Sequence, residues 1–585
     1  MRIYIKPVFI GLIGLAILAL LSLFIINIYQ DFKEAQLSKQ VLEEIQVDFS
    51  TVYEEASSDA LATIYNGRQV EDDVHPKFLG GILYLPVKLV VNYINDQFHY
   101  DEVEKILTYT TQDDVIRMRT NELTYTINDE PVRIEIGMTE FDGIAYLPLS
   151  LVQKFSHHDF IHNEEYHVLQ IKDWYSEETT GEVYYEDVDK AYIRILPYEE
   201  ASYIHVAFIG MDLSIIGEEN DYYQVLTKEG FLGYIKKEYV RSVVTSHSVK
   251  EKVYSYKQFP GQKFDEKINL AWHQVFNTTA NQNVAERFEN VTGVNVISPT
   301  WFELKGTEGE VRSIADLDYV RWAHDNDYQV WALFANLGEG YTRSMTHEVL
   351  SSTTKRMEVI RQLLALASVY ELDGINIDLE NVGEETGPYY VQFVKELSIY
   401  LKQQGLIVSA DLPVPKPWTE HMGREEIAKY LDYFMIMGYD EHWSTSPVSG
   451  SVASIGFVEE GIVDTLKSVP KEKIILGVPF YTRLWREETI DGEVSVSSRA
   501  YGMDGGQRIV EENNVEIAWD EVVGQYYGEY YEGDIRYRIW LEDERSMDLR
   551  MQLVDTYELG GVAGWKLGLE SDSVWEVLRP YLKKE

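Results

Sequence analysis

Asp373-Gly374-Ile375-Asn376-Ile377-Asp378-Leu379-Glu380 reads as a short apolar strand with polar side chains at alternate positions. Successive side chains of a strand point to opposite faces, so Asn376, Asp378 and Glu380 share one face. Two carboxylates side by side on so apolar a strand are costly unless something satisfies or uses them. Taken alone, the octapeptide allows two readings: a buried polar pair held by hydrogen bonds at a strand end, or a pair with coupled ionisation at a working site. The sequence on either side decides between them.

Outward from that stretch, residues 266–583 alternate apolar strands with helical patterns, the signature of βαβ units. Strands are predicted at 268–272, 294–297, 328–335, 374–380, 406–411, 433–439, 473–478 and 561–565, with the octapeptide as the fourth. Met357, Ile360, Leu364 and Ala367 form a helical stripe ahead of it, and the helix after it ends at Gly405. Eight such units imply a TIM (β/α)8 barrel. The stretch 482–548 is too long for a loop and holds strand-like pieces such as Tyr537-Arg538-Ile539-Trp540-Leu541, so an α+β insertion is expected before the last strand. Setting it aside leaves about 250 residues, the usual barrel size.

In such a barrel the chemistry sits at the C-terminal ends of the strands. The fourth strand ends at Asp378 and Glu380, the fifth at Asp411 and the sixth at Met437-Gly438-Tyr439-Asp440. The seventh leads to Phe480-Tyr481 and the eighth ends at Trp565. Carboxylates ringed by Tyr and Trp suit a sugar, whose ring faces stack on aromatics while its hydroxyls bond to acids.

These residues also carry a resemblance. Asp373…Asn376-x-Asp378-x-Glu380 resembles the Asp-x-x-Asp-x-Asp-x-Glu signature of glycoside hydrolase family 18, the chitinases and endo-N-acetylglucosaminidases. Met437-x-Tyr439-Asp440, Gly477-Val478-Pro479-Phe480-Tyr481 and Trp565 are similar to that family's later barrel motifs, in order, and the similarity covers 266–583 with the insertion. The form Gly374-Ile-Asn-Ile-Asp-x-Glu380, with Ile539-Trp540-Leu541-Glu542-Asp543, is most similar to bacterial spore-cortex-lytic and germination-type members. One position departs: the family's second Asp is Asn376, which cannot ionise but can still hydrogen-bond Asp378, and this puts the pH profile in question.

The resemblance implies a retaining glycosidase acting on β-1,4-linked N-acetylglucosamine glycans. Most retaining glycosidases set two carboxyls about 5 Å apart across the sugar. Asp378 and Glu380, on one face of one strand, cannot flank the bond in that way, and substrate assistance fits instead. Glu380 is then the acid and later the base, Asp378 orients the substrate's acetamide, and Tyr439 bonds to its oxygen. Trp565 is the floor under the sugar. Asn376 and Asp373 support the site, and Asp440, Asp411, Tyr481 and Met437 are further substrate-binding candidates. No metal or cofactor is called for. The alternative is a non-catalytic, lectin-like or scaffold protein of the cell wall, against which the retained Glu380, Asp378 and Tyr439 argue.

Upstream, Gly81-Ile82-Leu83-Tyr84-Leu85-Pro86 recurs as Gly143-Ile144-Ala145-Tyr146-Leu147-Pro148, each copy leading into an apolar helical stretch. Residues 67–172 therefore look like the small α+β module found at the N-terminus of copper amine oxidases, taken as a spacer or interaction unit. Residues 187–245 are rich in short strands around a Gly230 turn and resemble a bacterial SH3-like domain, a small β-barrel. That resemblance implies a cell-wall peptide, glycan or protein partner, with a structural spacer as the alternative.

At the N-terminus Arg2 and Lys6 precede an uncharged run, 8–26, long enough as a helix to cross a hydrocarbon core of roughly 30 Å. It is read as a retained signal anchor over residues 1–31, with a cleaved signal peptide as the alternative. A helical stalk is expected over 32–66. The expectation is thus a single-pass membrane protein whose catalytic domain faces outward, at the bacterial surface or the spore envelope.

Composition narrows the classes. The 585 residues carry 97 acidic against 52 basic side chains, a net charge of −45, so nucleic acid is not a partner. With no cysteine, disulfides and thiolate metal sites are excluded.

Overall fold

Eight parallel strands of the computed structural model close on themselves: Ile268–His273 (β1), Val296–Pro299 (β2), Gln329–Ala335 (β3), Gly374–Asp378 (β4), Ile407–Pro413 (β5), Tyr433–Met437 (β6), Ile474–Pro479 (β7) and Gly561–Trp565 (β8). β1 pairs with both β2 and β8, and the pairing of β2 with β3 shuts the ring. Each expected strand is present, within a few residues of its expected bounds. The structure describes residues 46–48, 53, 60–247, 264, 266–490 and 493–582. They fall into two units, one of residues up to Phe98, Thr120–Leu123 and Glu135–Tyr254, the other of His99–Arg119, Thr124–Ile134 and Ser255–Glu585.

The barrel strands bury both faces, which is why their sequences run apolar rather than alternating. Ile268, Leu270, Trp272, Val296, Trp331, Leu333, Ile407, Met435, Ile475 and Ala563 fill the interior. The opposite faces, among them Ile375, Ile377 and Val408, pack beneath the helices. Two of those helices are Thr353–Val369 (α1) and Gly387–Gln403 (α2), on either side of β4 in sequence.

The expected insertion is a five-stranded antiparallel sheet of Tyr481–Ile490, Glu493–Gly502, Ile517–Asp520, Gln525–Glu532 and Ile535–Leu541, with helix Met503–Glu512.

A second antiparallel sheet belongs to the barrel's unit and comes from far upstream, with strands Phe98–Asp101, Ile106–Thr110, Val115–Arg119, Thr124–Ile127 and Glu130–Arg133. Asp101 Oδ2 accepts from Thr353 N at 2.9 Å, and the Glu104 carboxylate accepts from Thr354 N at 3.2 Å. Two carboxylates thus meet the free N–H groups and positive dipole end of α1. On α2, the buried Glu396 accepts from Arg117 Nη2 at 2.7 Å, lies 3.3 Å from Arg356 Nη2 and accepts from Gln392 at 2.8 Å. Burial alone would raise the Glu396 carboxyl; the two guanidinium groups and the Gln392 bond bring it down to about 2. The expected module at 67–172 is therefore divided in its packing, its middle lying with the barrel.

In the other unit the repeated hexapeptides become strands Ile82–Pro86 and Ile144–Pro148, which pair antiparallel, Leu147 opposite Leu85. Each ends in a Pro that precedes a short helix, Val87–Leu89 or Leu149–Lys154. A seven-stranded antiparallel sheet follows, running from Glu177 to His247. Gly230 has φ +104° in its turn, a conformation that favours glycine.

Two expectations change. Among the described residues no helix is long and apolar enough to cross a membrane, and the run 8–26 lies outside the described residues, so the single-pass, outward-facing assignment is withdrawn. Most of the expected stalk at 32–66 also lies outside them, and its described end, Ala62–Tyr65, is a strand parallel to Val168–Asp173 rather than helix.

Candidate active site

β4 turns Asn376 and Asp378 to the barrel interior, because Ile375 and Ile377 between them are drawn to the helix layer. Asn376 is fully buried and bonded at both ends of its amide. Its Oδ1 accepts from Trp272 Nε1 at 2.9 Å and from Ser298 Oγ at 3.0 Å. Its Nδ2 donates to Ser409 Oγ at 3.1 Å and to Asp411 Oδ1 at 2.6 Å. A polar side chain here is affordable because β1, β2 and β5 all meet it with partners. Its amide faces Asp411, not Asp378 as the sequence had suggested.

Asp378 is next toward the mouth. It is 6% exposed, and its Oδ1 is buried without a hydrogen-bond partner. Burial first, then Glu380 and Asp411, push its carboxyl well above the usual carboxylate range. Glu380 lies beyond the end of β4, open to solvent at the mouth yet enclosed by the surrounding walls. That enclosure and Asp440 raise its carboxyl too. The turn after it is fixed by Asn336, whose Oδ1 accepts from Asn381 N at 3.1 Å and whose backbone oxygen accepts from Asn381 Nδ2 at 3.0 Å.

β6 and β7 supply the opposite wall. The Tyr439 hydroxyl, just past β6, is pushed well above its ordinary value by burial and then by Asp411, Tyr481, Asp378 and Glu380. Gly477 of β7 makes room for it: a Cβ there would stand 3.3 Å from Tyr439 Cε1 and 2.7 Å from Ile436 O. Tyr481 donates to Asp440 Oδ1 at 2.6 Å and sets its ring 6.4 Å from that of Tyr439. Trp565, the last residue of β8, sets its ring 5.9 Å from that of Trp272. Met437 is half-buried at the end of β6.

The structure thus gathers Asn376, Asp378, Asp411, Glu380, Tyr439, Asp440, Tyr481 and Trp565 at one end of the barrel. Asp373 does not join them. It lies before the first residue of β4, where its Oδ2 accepts from Val330 N at 2.8 Å and sits 2.8 Å from His324 Nε2. Asp411 is a buried partner of Asn376, 3% exposed, rather than a side chain displayed to a ligand. Sequence reasoning missed Trp272 and Ser298, whose only signal was an inward position on β1 and β2. It also missed Arg483, two residues after Tyr481, whose Nη2 is 3.9 Å from Asp440 Oδ1 and whose Nε is buried without a partner.

The sequence profile described as Glycosyl hydrolases family 18 matches residues 183–570, and that of the Copper amine oxidase N-terminal domain matches residues 64–171. The uncharacterized glycosylase YvbX of Bacillus subtilis (strain 168) is 24% identical over 313 residues, 52% of this chain and 88% of that protein. The cortical fragment-lytic enzyme of Bacillus anthracis is 25% identical over 255 residues, 42% of this chain but only 58% of that protein. In the crystal structure of the Bacillus cereus spore cortex-lytic enzyme SleL, 73% of the chain superposes on 53% of this one with a TM-score of 0.48 and 21% identity.

Proposed function

The chain belongs to glycosyl hydrolases family 18, and we propose that this glycosidase cuts β-1,4-linked N-acetylglucosamine glycans with retention, the substrate's own 2-acetamido group serving as nucleophile. Asp378 carries the reading. A buried carboxyl oxygen without a partner is expensive, and beside a general acid it suits an N–H that arrives with the substrate.

Glu380 gives its proton to the glycosidic oxygen as the C1–O bond breaks. The acetamide oxygen bonds to C1, and the positive oxazolinium lies against Asp378, which accepts its N–H. Tyr439 donates to the acetamide oxygen and Trp565 supports the ring. Glu380, now charged, takes a proton from water, and the water oxygen displaces the acetamide from C1, restoring both groups. Support for this route over a protein nucleophile comes from the other carboxyls. Asp378 shares a strand with Glu380, Asp411 is bonded to Asn376 beneath the site, and Asp440 is held by Tyr481. None stands free across a sugar.

The cortex-directed names among the relatives favour peptidoglycan as the glycan.

The test is digestion of purified peptidoglycan and of chitin oligomers by the full chain, with mass spectrometry of the fragments. Reducing-end N-acetylglucosamine is expected from wild type, with a fall of about 10²–10⁴ in kcat for Glu380→Gln. Undiminished cutting by Glu380→Gln would remove the acid from the reading, and binding without cutting by wild type would mark a lectin-like chain. Turnover of a fully deacetylated polymer would rule out substrate assistance.

A further inference from the structure

Asp411 is a buried carboxyl that the reaction above does not use. Its position follows from Asn376, whose amide cannot be turned around. Trp272 Nε1–H can only donate, and it reaches one end of that amide at 2.9 Å, so that end is the oxygen and the other, the NH2, faces β5. There Nδ2 meets Asp411 Oδ1 at 2.6 Å.

The charged and titratable neighbours come from several elements. Asp378 at the end of β4 and Glu380 just beyond it act on Asp411, Tyr439 lies past the end of β6, and Tyr390 of α2 has a buried hydroxyl with no partner. Arg424, which acts on Tyr390, donates to the backbone oxygens of Thr419 and Pro413, each 2.8 Å away. Among the described residues no cation is bonded to Asp411, and its donor, Asn376, is neutral.

We propose that Asp411 is a positioning residue for this reaction: a buried acid on β5, held by the Asn376 amide, that shares a single negative charge with Asp378. This rests on the substrate-assisted reading. Burial, opposed by the Asn376 bond, and the charge of Glu380 push the Asp411 carboxyl up to about 8. When the oxazolinium draws the charge onto Asp378, the proton of the pair is left on Asp411. Asp411 forms and breaks no bond to substrate; it carries the proton of the pair while Asp378 carries the charge.

The test is the pH profile of kcat for three variants. Asp411→Asn removes the competitor, so Asp378 ionises more easily and the acidic limb moves down by about one pH unit, with KM unchanged. Asn376→Asp adds a like charge and moves it up. Asn376→Asp combined with Asp411→Asn returns the carboxyl count to its original value and restores the limb. A merely structural Asp411 would lower kcat at every pH without moving the limb, and the double variant would be worse than either single one. Infrared titration gives a readout that needs no turnover: a protonated carboxyl band titrating near pH 8 in wild type and missing in Asp411→Asn. Loss of activity in Glu380→Gln with no such band would leave the reaction standing and overturn this inference. The band without any glycan cutting would do the reverse.

Discussion

Asn376 is bonded on every side, so a change in any of its partners is felt at once. Trp272→Phe keeps the bulk of the ring but removes a donor to Asn376 Oδ1, leaving that oxygen with Ser298 alone. A loss of about 1–2 kcal/mol in stability is expected from urea melts. Asp411 acts on stability in the opposite sense. Its folded value of about 8 lies above the unfolded value of about 3.9, so between those pH values the folded state holds a proton that the unfolded state has lost. Stability from this group therefore falls as pH rises through that window and levels off above it. Asp411→Asn should reduce the difference in unfolding free energy between pH 5 and pH 8 by about 1–3 kcal/mol; an unchanged difference would mean that Asp411 is already ionised at neutral pH. The octapeptide made it legible that Asn376, Asp378 and Glu380 share a face. It could not say which neighbour each meets. That depends on register, and here Asn376 stands opposite Ser409, which brings Asp411 to its amide.

Strands and helices of the barrel were legible because burial on both faces writes long apolar runs, and because the 3.6-residue stripe of α1 is local. What holds α1 and α2 was not. Nothing within a dozen residues marks Asp101, Glu104 or Arg117, because their partners lie some 250–280 positions away. Yet Arg117 supplies one of the two cations that hold Glu396. Arg117→Ala leaves a buried carboxylate with Arg356 as its one remaining cation and should cost about 2–4 kcal/mol. The pH sign follows from the depressed Glu396 value. Its contribution is fully present above the unfolded value of about 4.3 and is lost as pH falls toward 2. Acid unfolding of wild type and Arg117→Ala should accordingly converge below about pH 3. Parallel curves down to the lowest pH would show that the pair adds nothing.

At the scale of the molecule, a boundary drawn from sequence at the start of the barrel would cut its unit in two. A fragment beginning at residue 260 keeps all eight strands and every residue of the site but loses the sheet of His99–Arg119 and Thr124–Ile134. Val115, buried in the barrel's outer core, goes with it, as do the Asp101 and Glu104 carboxylates on the N-terminus of α1 and the Arg117 bond to Glu396. Helix α1 would retain Ser352 as its side-chain cap, and Glu396 would retain Arg356 and Gln392, so the barrel should still close. The losses together are expected to be on the order of 3–5 kcal/mol, which for a domain of this size lowers Tm by about 10 °C. A fragment beginning at residue 60 retains the sheet and should melt with the full chain. Calorimetry on both fragments checks this, with glycan cutting per folded molecule measured alongside, since the sheet touches α1 and α2 rather than the mouth of the barrel. Equal Tm values for the two fragments would mean that the sheet rests on the barrel without stabilising it.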